Sequence, residues 1–447
     1  MLEAPRNMLG LLVQLEDKAR ENPDDIQLML RLARLYLKNG AGDDSVRIYQ
    51  QILKTEPENA SALVELANCH IRQRQFEEAS FLLERAQEIK PGLYSIFLTF
   101  AKLHEAQGNV ENQVSFMMRA ANAAPEKTEI RLALAEMLKR YGDFSGATGQ
   151  YRILLEQKPD LEAALFALGT MMMKRNELNE AMKCFRKILD KNPGAFDAHF
   201  NLANCLFRQR KFKMAINHFR IAGRKQNLVE RSLYLSAQSF FQLKDFDRAI
   251  VAMEKLVLLD ENNISYQKSL AEIYFAAGEL DLSRDVYRQL AKIAPERPEF
   301  QIKFAEMLVL LEDYSRAEKA LDTLFRIHPG HLDGHRILGE IYQRKGLYKA
   351  AVEEFKRTLM LNENHTQAYL GMAKVYAETG ELQKEHDCLQ RAVELGVENP
   401  ELLLKLGQIE NRLKLPASLD RFRRVTELAP DSDCALEAEY YLKHQAA

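Results

Sequence analysis

The sequence predicts an all-α fold, an α-solenoid of helical hairpins stacked in tandem, and three observations carry that expectation. Pro57, Pro91, Pro125, Pro159 and Pro193 recur at intervals of 34 residues. Between them the apolar residues fall at i, i+3, i+4 and i+7, the spacing of one helix face. A small residue also recurs once per interval, at Ala33, Ala67, Ala101, Ala135, Gly169 and Ala203. A fixed period of this size marks stacked supersecondary units, each too small to bury its own apolar faces.

The 447 residues suffice for two to four ordinary domains or for one long array. The composition is 47% hydrophobic and 28% charged, with a formal net charge of -2. That balance argues against a general polyanion binder, so nucleic acid is set aside as a partner. No Ser/Gly/Pro-rich linker interrupts the chain, which predicts no hinge. The longest apolar runs are too short to span a bilayer, and the N-terminus lacks a secretory apolar core. Five cysteines, widely spaced and without a CxxC motif, suit reduced thiols and a cytoplasmic location. Cys69 and Cys205 stand four periods apart, Cys184 and Cys388 six, which makes them small apolar residues at equivalent packing positions.

Taken in order, residues 1–25 read as an N-terminal capping half-repeat, with one amphipathic helix over Asn7–Arg20. Residues 26–431 form the tandem array of about 12 units, and 432–447 a C-terminal capping helix. In the first unit, Met29, Leu32, Ala33 and Tyr36 share one helix face, Gly40 makes the turn, and Val46, Tyr49, Ile52 and Leu53 supply the partner helix. Pro57 ends it, because proline lacks the amide donor and restricts its predecessor. Asn227 and Glu261 occupy the sixth and seventh proline positions, and Pro295 and Pro329 restore the series. The last unit, from Pro400, fits if one residue is missing near Lys414–Leu415, with Pro416 opening its second helix.

Leu338, Gly339 and Tyr342, followed by Ala351 and Phe355, show the text of each unit most fully. This pattern, W-x2-L-G-x2-Y then A-x3-F then P at 34 residues, resembles the tetratricopeptide repeat, although no tryptophan occurs in the chain. The resemblance covers nearly the whole sequence. It implies a right-handed superhelix whose first helices line a concave groove through positions 2, 5, 9, 12 and 13 of each unit, counting Ile26 as position 1. Position 5 holds Leu132, Phe166, Phe200 and Tyr234 in the fourth to seventh units. Position 12 holds Met173, Phe207, Phe241, Phe275 and Val309 in the fifth to ninth. These rings either present a stripe to a partner or tuck between neighbouring first helices. Beside them run Arg140, Lys174 and Arg208 at position 13, and no acidic residue lies between Asp197 and Glu230. An aromatic and cationic lining predicts a protein partner that presents an acidic-hydrophobic peptide or helix.

The carboxylate-clamp signature of some relatives is not met. Asn68 and Asn204 stand at position 9, but Thr99 and Leu235 follow where the clamp needs asparagine. His328, His331 and His335, with Asp333, form the one histidine cluster. A metal site there competes with a simpler reading, in which His335 fills a packing position as His199 does, and no metal is expected. Without a P-loop, GxGxxG, GxSxG or HExxH motif, the sequence predicts neither an enzyme nor a cofactor.

Overall fold

The computed structural model describes residues 3–445, with side chains described over 12–444, and every regular element among them is helical. The chain divides into two compact units, 1–224 and 225–447. In the first, α1 (Glu3–Glu21) precedes six hairpins. These are α2 (Ile26–Lys38) with α3 (Gly42–Thr55), α4 (Ala60–Arg72) with α5 (Phe76–Ile89), and α6 (Tyr94–Gln107) with α7 (Val110–Ala123). There follow α8 (Thr128–Arg140) with α9 (Phe144–Gln157), α10 (Glu162–Lys174) with α11 (Leu178–Lys191), and α12 (Phe196–Arg208) with α13 (Phe212–Ala222).

The second unit opens with a 3-10 turn, Gln226–Leu228, and α14 (Val229–Gln242) with α15 (Phe246–Leu259). It continues with α16 (Ile264–Ala277) and α17 (Leu280–Ile293), α18 (Pro298–Leu310) and α19 (Tyr314–Ile327), and α20 (Leu332–Arg344) and α21 (Tyr348–Leu361). The last pairs are α22 (Thr366–Thr379) with α23 (Leu382–Glu394) and α24 (Pro400–Arg412) with α25 (Ser418–Leu428), closed by α26 (Asp433–Gln445).

Local chemistry sets these boundaries. Asp25, Asn59, Asn263 and Asn399 cap first helices by accepting from main-chain amides of the first turn. Each first helix then ends at a left-handed residue. Gly40, Arg74, Gly108, Gly142, Asn176, Arg210, Lys244, Gly278, Glu312, Gly346, Gly380 and Lys414 all have φ between +57° and +86°. They stand 34 residues apart without a gap, so this position keeps the period where the prolines lose it. Only half of them are glycine; the others accept a conformation that costs an L residue about 1–2 kcal/mol.

Packing follows the predicted faces. The small residues of the ladder are buried, and a large residue of each second helix is buried in turn: Tyr49, Leu83, Tyr151, Phe185, Phe219, Phe355 and Phe422 are at most 2% exposed. Burying each such side chain contributes about 1.5–3 kcal/mol. Where the ladder carries glycine the fit is close. A Cβ on Gly169 would lie 2.8 Å from the Phe185 ring, and one on Gly339 would lie 2.9 Å from Phe355. Cys69, Cys184, Cys205 and Cys388 are buried as free thiols, and burial pushes those of Cys205 and Cys388 up to about 11. At the N-terminus, Leu12, Leu15 and Ala19 of α1 pack on the core of the first hairpin.

One expectation needs correction. Pro416 stands in the turn before α25 and not in the helix, although the missing residue is where the sequence places it: Lys414 keeps the period, while Phe422 reaches the buried ring site one residue early. The two missing prolines differ in consequence. At Glu261 the preceding α15 runs its full 14 residues, whereas before Asn227 α13 stops after 11 and a 3-10 turn follows. The division between the two compact units falls in that connection.

Candidate partner-binding groove

Within each compact unit the groove positions stand on first helices, where they divide into core and surface. In the first unit Phe200 is 5% exposed, with its ring edge-on to Phe219 at 5.9 Å. Phe200 is therefore a core residue and not part of an open stripe. Phe166 meets Phe185 in the same way at 5.9 Å, and is half-buried with Leu132 and Met173. Phe207 packs on Phe212 at 5.4 Å, joining the end of α12 to the start of α13. In the second unit Phe241 repeats that pairing with Phe246 at 5.9 Å, and Tyr234 lies 5.8 Å from Tyr266. Val309 is 4% exposed and belongs to the core. Phe275 alone among the named rings is strongly exposed, at 48%.

The basic series is exposed but partly committed. The Arg208 guanidinium donates to the Met173 carbonyl at 2.9 Å and to Asn176 Oδ1 at 2.9 Å. Arg72 reaches the Leu37 carbonyl in the same manner at 3.4 Å. Both residues thus add a side-chain bond at the carbonyl end of the preceding first helix, where the Met173 carbonyl also accepts from the Asn176 amide at 3.1 Å. Arg140 and Lys174 are exposed. The further cations of the acid-free stretch, Lys213, Arg220 and Arg224, lie on α13 and the residues after it, outside the groove positions.

Around Phe275 the surface opens into a pocket of about 360 Å³ that spans three successive first helices, α16, α18 and α20. Phe275, Met307, Val309, Leu310 and Ile337 supply apolar walls, and Leu310, like Phe275, is 48% exposed. Glu272, Lys303, Glu306, Arg336 and Glu340 line it as well. Arg336 ties the charged group together, at 3.1 Å from Glu306, 3.4 Å from Asp333 and 3.6 Å from Glu340. Tyr287 of α17 reaches the pocket from beneath, at 3% exposure. Burial first, and then the Glu272 and Glu306 carboxylates, push its phenol well above the usual range. A second hollow, of about 670 Å³, crosses α8, α10 and α12 around Phe166, with Glu136, Glu162 and Asp197 among its lining. Leu310 and Tyr287 were not singled out by the sequence. Leu310 occupies a groove position and was legible there, whereas Tyr287 sits at the position that elsewhere is purely core.

The histidine cluster resolves into packing. His335 is buried between Glu354, 2.7 Å from its Nδ1, and the Pro329 carbonyl, 3.2 Å from its Nε2. His331 caps α20, and the His328 and His331 rings stand 6.5 Å apart. His70 and His104 bond to Gln75 and Gln107.

Fold and surface together define a helical-repeat protein, an α-solenoid of two-helix units. The chain is a tetratricopeptide-repeat protein: residues 39–96 match one repeat family of that name, and 234–298 and 308–368 match a second. Residues 174–256 match the family described as anaphase-promoting complex, cyclosome, subunit 3. Anaphase-promoting complex subunit 3 of Schizosaccharomyces pombe is 23% identical over 209 residues, covering 44% of this chain and 30% of that protein. The human protein O-mannosyl-transferase TMTC1 is 21% identical over 168 residues, 36% of this chain and 19% of that protein. The chain spans less than a third of either relative. Among solved structures, Naa15/Naa10 bound to HypK-THB aligns with a TM-score of 0.47 at 16% identity, over 88% of this chain and 67% of that one. No helix among the described residues is long and apolar enough to cross a membrane.

Proposed function

We propose that the chain is a non-catalytic interaction scaffold that binds a peptide or helical segment of a partner protein along its first helices. The observation that carries this is the open apolar pocket across α16, α18 and α20, where Phe275 and Leu310 each remain 48% exposed although neither is needed to stack repeats. Exposed apolar surface in a concave, polar-rimmed setting is the usual mark of a segment-binding groove. Phe166, Phe207, Tyr234 and Phe241, half-buried on the same helical positions, extend the contact surface within their own units, and Arg140 and Lys174 flank it. The buried thiols suit a reducing compartment, in keeping with the cytoplasm. Affinity capture with the intact chain and with the Phe275→Ala, Leu310→Ala double variant tests the reading. Loss of captured protein at unchanged melting temperature supports it; unchanged capture removes it.

A second reading, a subunit of an assembly held through its outer edge, has its own observation. Leu259, Ile293, Ile327 and Leu361 end successive second helices at one equivalent position, and they are 62%, 51%, 48% and 49% exposed. The similarity to a subunit of the anaphase-promoting complex is in keeping with such a role.

A further inference from the structure

Within that segment-binding reading, on which this inference rests, the Phe275 pocket indicates the chemistry of what enters it. Three carboxylates line it, Glu272, Glu306 and Glu340, against two cations, Lys303 and Arg336. Those two cations are already used. Lys303 bonds Glu306 at 2.8 Å, and Arg336 lies 3.1 Å from Glu306 and 3.6 Å from Glu340. Glu340 is also held by Arg344, at 3.3 Å. Glu272 differs from them, because among the described residues its one ion pair is with Lys268, at 3.8 Å, with both side chains about half exposed. At that distance and exposure the pair constrains little.

Beside Glu272 lies a second group without a partner. Tyr287 is 3% exposed and lines the pocket, and no described residue hydrogen-bonds its hydroxyl. Its hydroxyl opens to the pocket and keeps acceptor capacity for a group that enters. A carboxylate with spare acceptor capacity beside a phenol oxygen, both next to the exposed face of Phe275, calls for a donor that is positive at its end and apolar along its stem. Lysine and arginine side chains have that form: the stem covers apolar surface while the head stays polar. Their cationic head is further attracted to an aromatic face.

We infer that the pocket is the anchor site for a basic side chain of the bound segment, with its stem against Phe275 and Leu310 and its cation between Glu272 and the Tyr287 hydroxyl. The hollow around Phe166 repeats the combination of aromatic ring and carboxylates, with Glu136, Glu162 and Asp197 against Lys139. This reverses the acidic partner that the basic series suggested. Arg208 and Arg72 of that series bond to the protein's own carbonyls, while the pocket linings carry the acid.

The test uses the full chain and three fluorescein-labelled peptides of identical leucine pattern, with arginine, its neutral isostere citrulline, or glutamate at the intervening positions. Anisotropy should rank arginine first, citrulline about tenfold weaker, one well-placed charged contact, and glutamate weakest. In Glu272→Gln the ratio between arginine and citrulline should collapse. Phe275→Ala should weaken both peptides, and Tyr287→Phe should weaken the arginine peptide with little change in melting temperature. Arginine and citrulline binding equally overturns the basic anchor; if Phe275→Ala still weakens both, segment binding at the pocket survives. Failure of all three peptides to bind, or binding indifferent to Phe275→Ala, removes the anchor and the pocket reading together.

Discussion

The Arg208 guanidinium donates to the main-chain carbonyl of Met173 at 2.9 Å, one repeat behind it, and so bonds the end of one first helix to a side chain from the next. Arg72 and Leu37 stand in the same relation. That helix end is thereby linked to repeat stacking, because the bond exists only while the two repeats are in register. Arg208→Met, which keeps much of the stem, should cost about 1 kcal/mol. It should also raise amide exchange near Asn176 and Glu177 while leaving partner capture unaltered. Loss of capture without loss of stability would return Arg208 to the binding surface.

The sixth repeat should weaken in acid through His199 and His218, whose Nδ1 atoms lie 2.8 Å apart. His199 Nε2 stands 3.0 Å from the Pro193 carbonyl and must donate to it. A neutral His199 therefore accepts at Nδ1, and His218 donates. A further proton on His218 enters at its Nε2 and leaves that bond in place, so its cost is that of charging a buried ring. Burial first, then His199 and Arg186, lower the affinity of His218 for its proton. Since the unfolded chain takes that proton at higher pH, it holds more protons across the window below about pH 6.5. Stability is thus complete above that value and falls as pH drops through the window. His218→Gln should flatten the slope between about pH 7 and pH 5; an unchanged slope would clear the pair of any part in it.

Gly169 tolerates no Cβ without movement of Phe185, whose ring would stand 2.8 Å away. Gly169→Ala should therefore cost about 1–3 kcal/mol despite the better helix propensity of alanine. A stabilised variant would show that the ring has room to turn.

Glu312 ends α18 at φ +59°. Glu312→Gly should stabilise the second unit by about 0.5–1 kcal/mol, by relieving the left-handed strain, and Glu312→Val should destabilise it. Chemical denaturation of the two variants beside the parent decides the sign.

These residues also show what the sequence could and could not reveal. Pro57 and its successors, the small ladder from Ala33 to Ala203, and the buried rings of the second helices carry the fold, because burial at a fixed period leaves its trace in residue type. The left-handed turn left none at Arg74, Arg210, Lys244, Glu312 or Lys414, since stacking holds those residues where local preference would not. The groove was legible as a set of positions and not as a surface. Phe200 and Phe275 look alike in sequence, yet one has Phe219 against it and the other borders a pocket. That difference depends on neighbours from other helices. The partner of Arg208 was invisible for another reason: a main-chain carbonyl belongs to every residue.

The contrast between Phe200 and Phe275 is also the most direct trial of the account. Melting temperature and partner capture, measured together for Phe275→Ala and Phe200→Ala in the full chain, separate surface from core. Phe200→Ala should lose about 3–5 kcal/mol, as a buried ring does. Phe275→Ala should lose about 1 kcal/mol or less and abolish capture. Equal loss of stability in the two, or capture retained by Phe275→Ala, would contradict the assignment of the Phe275 pocket as the binding surface.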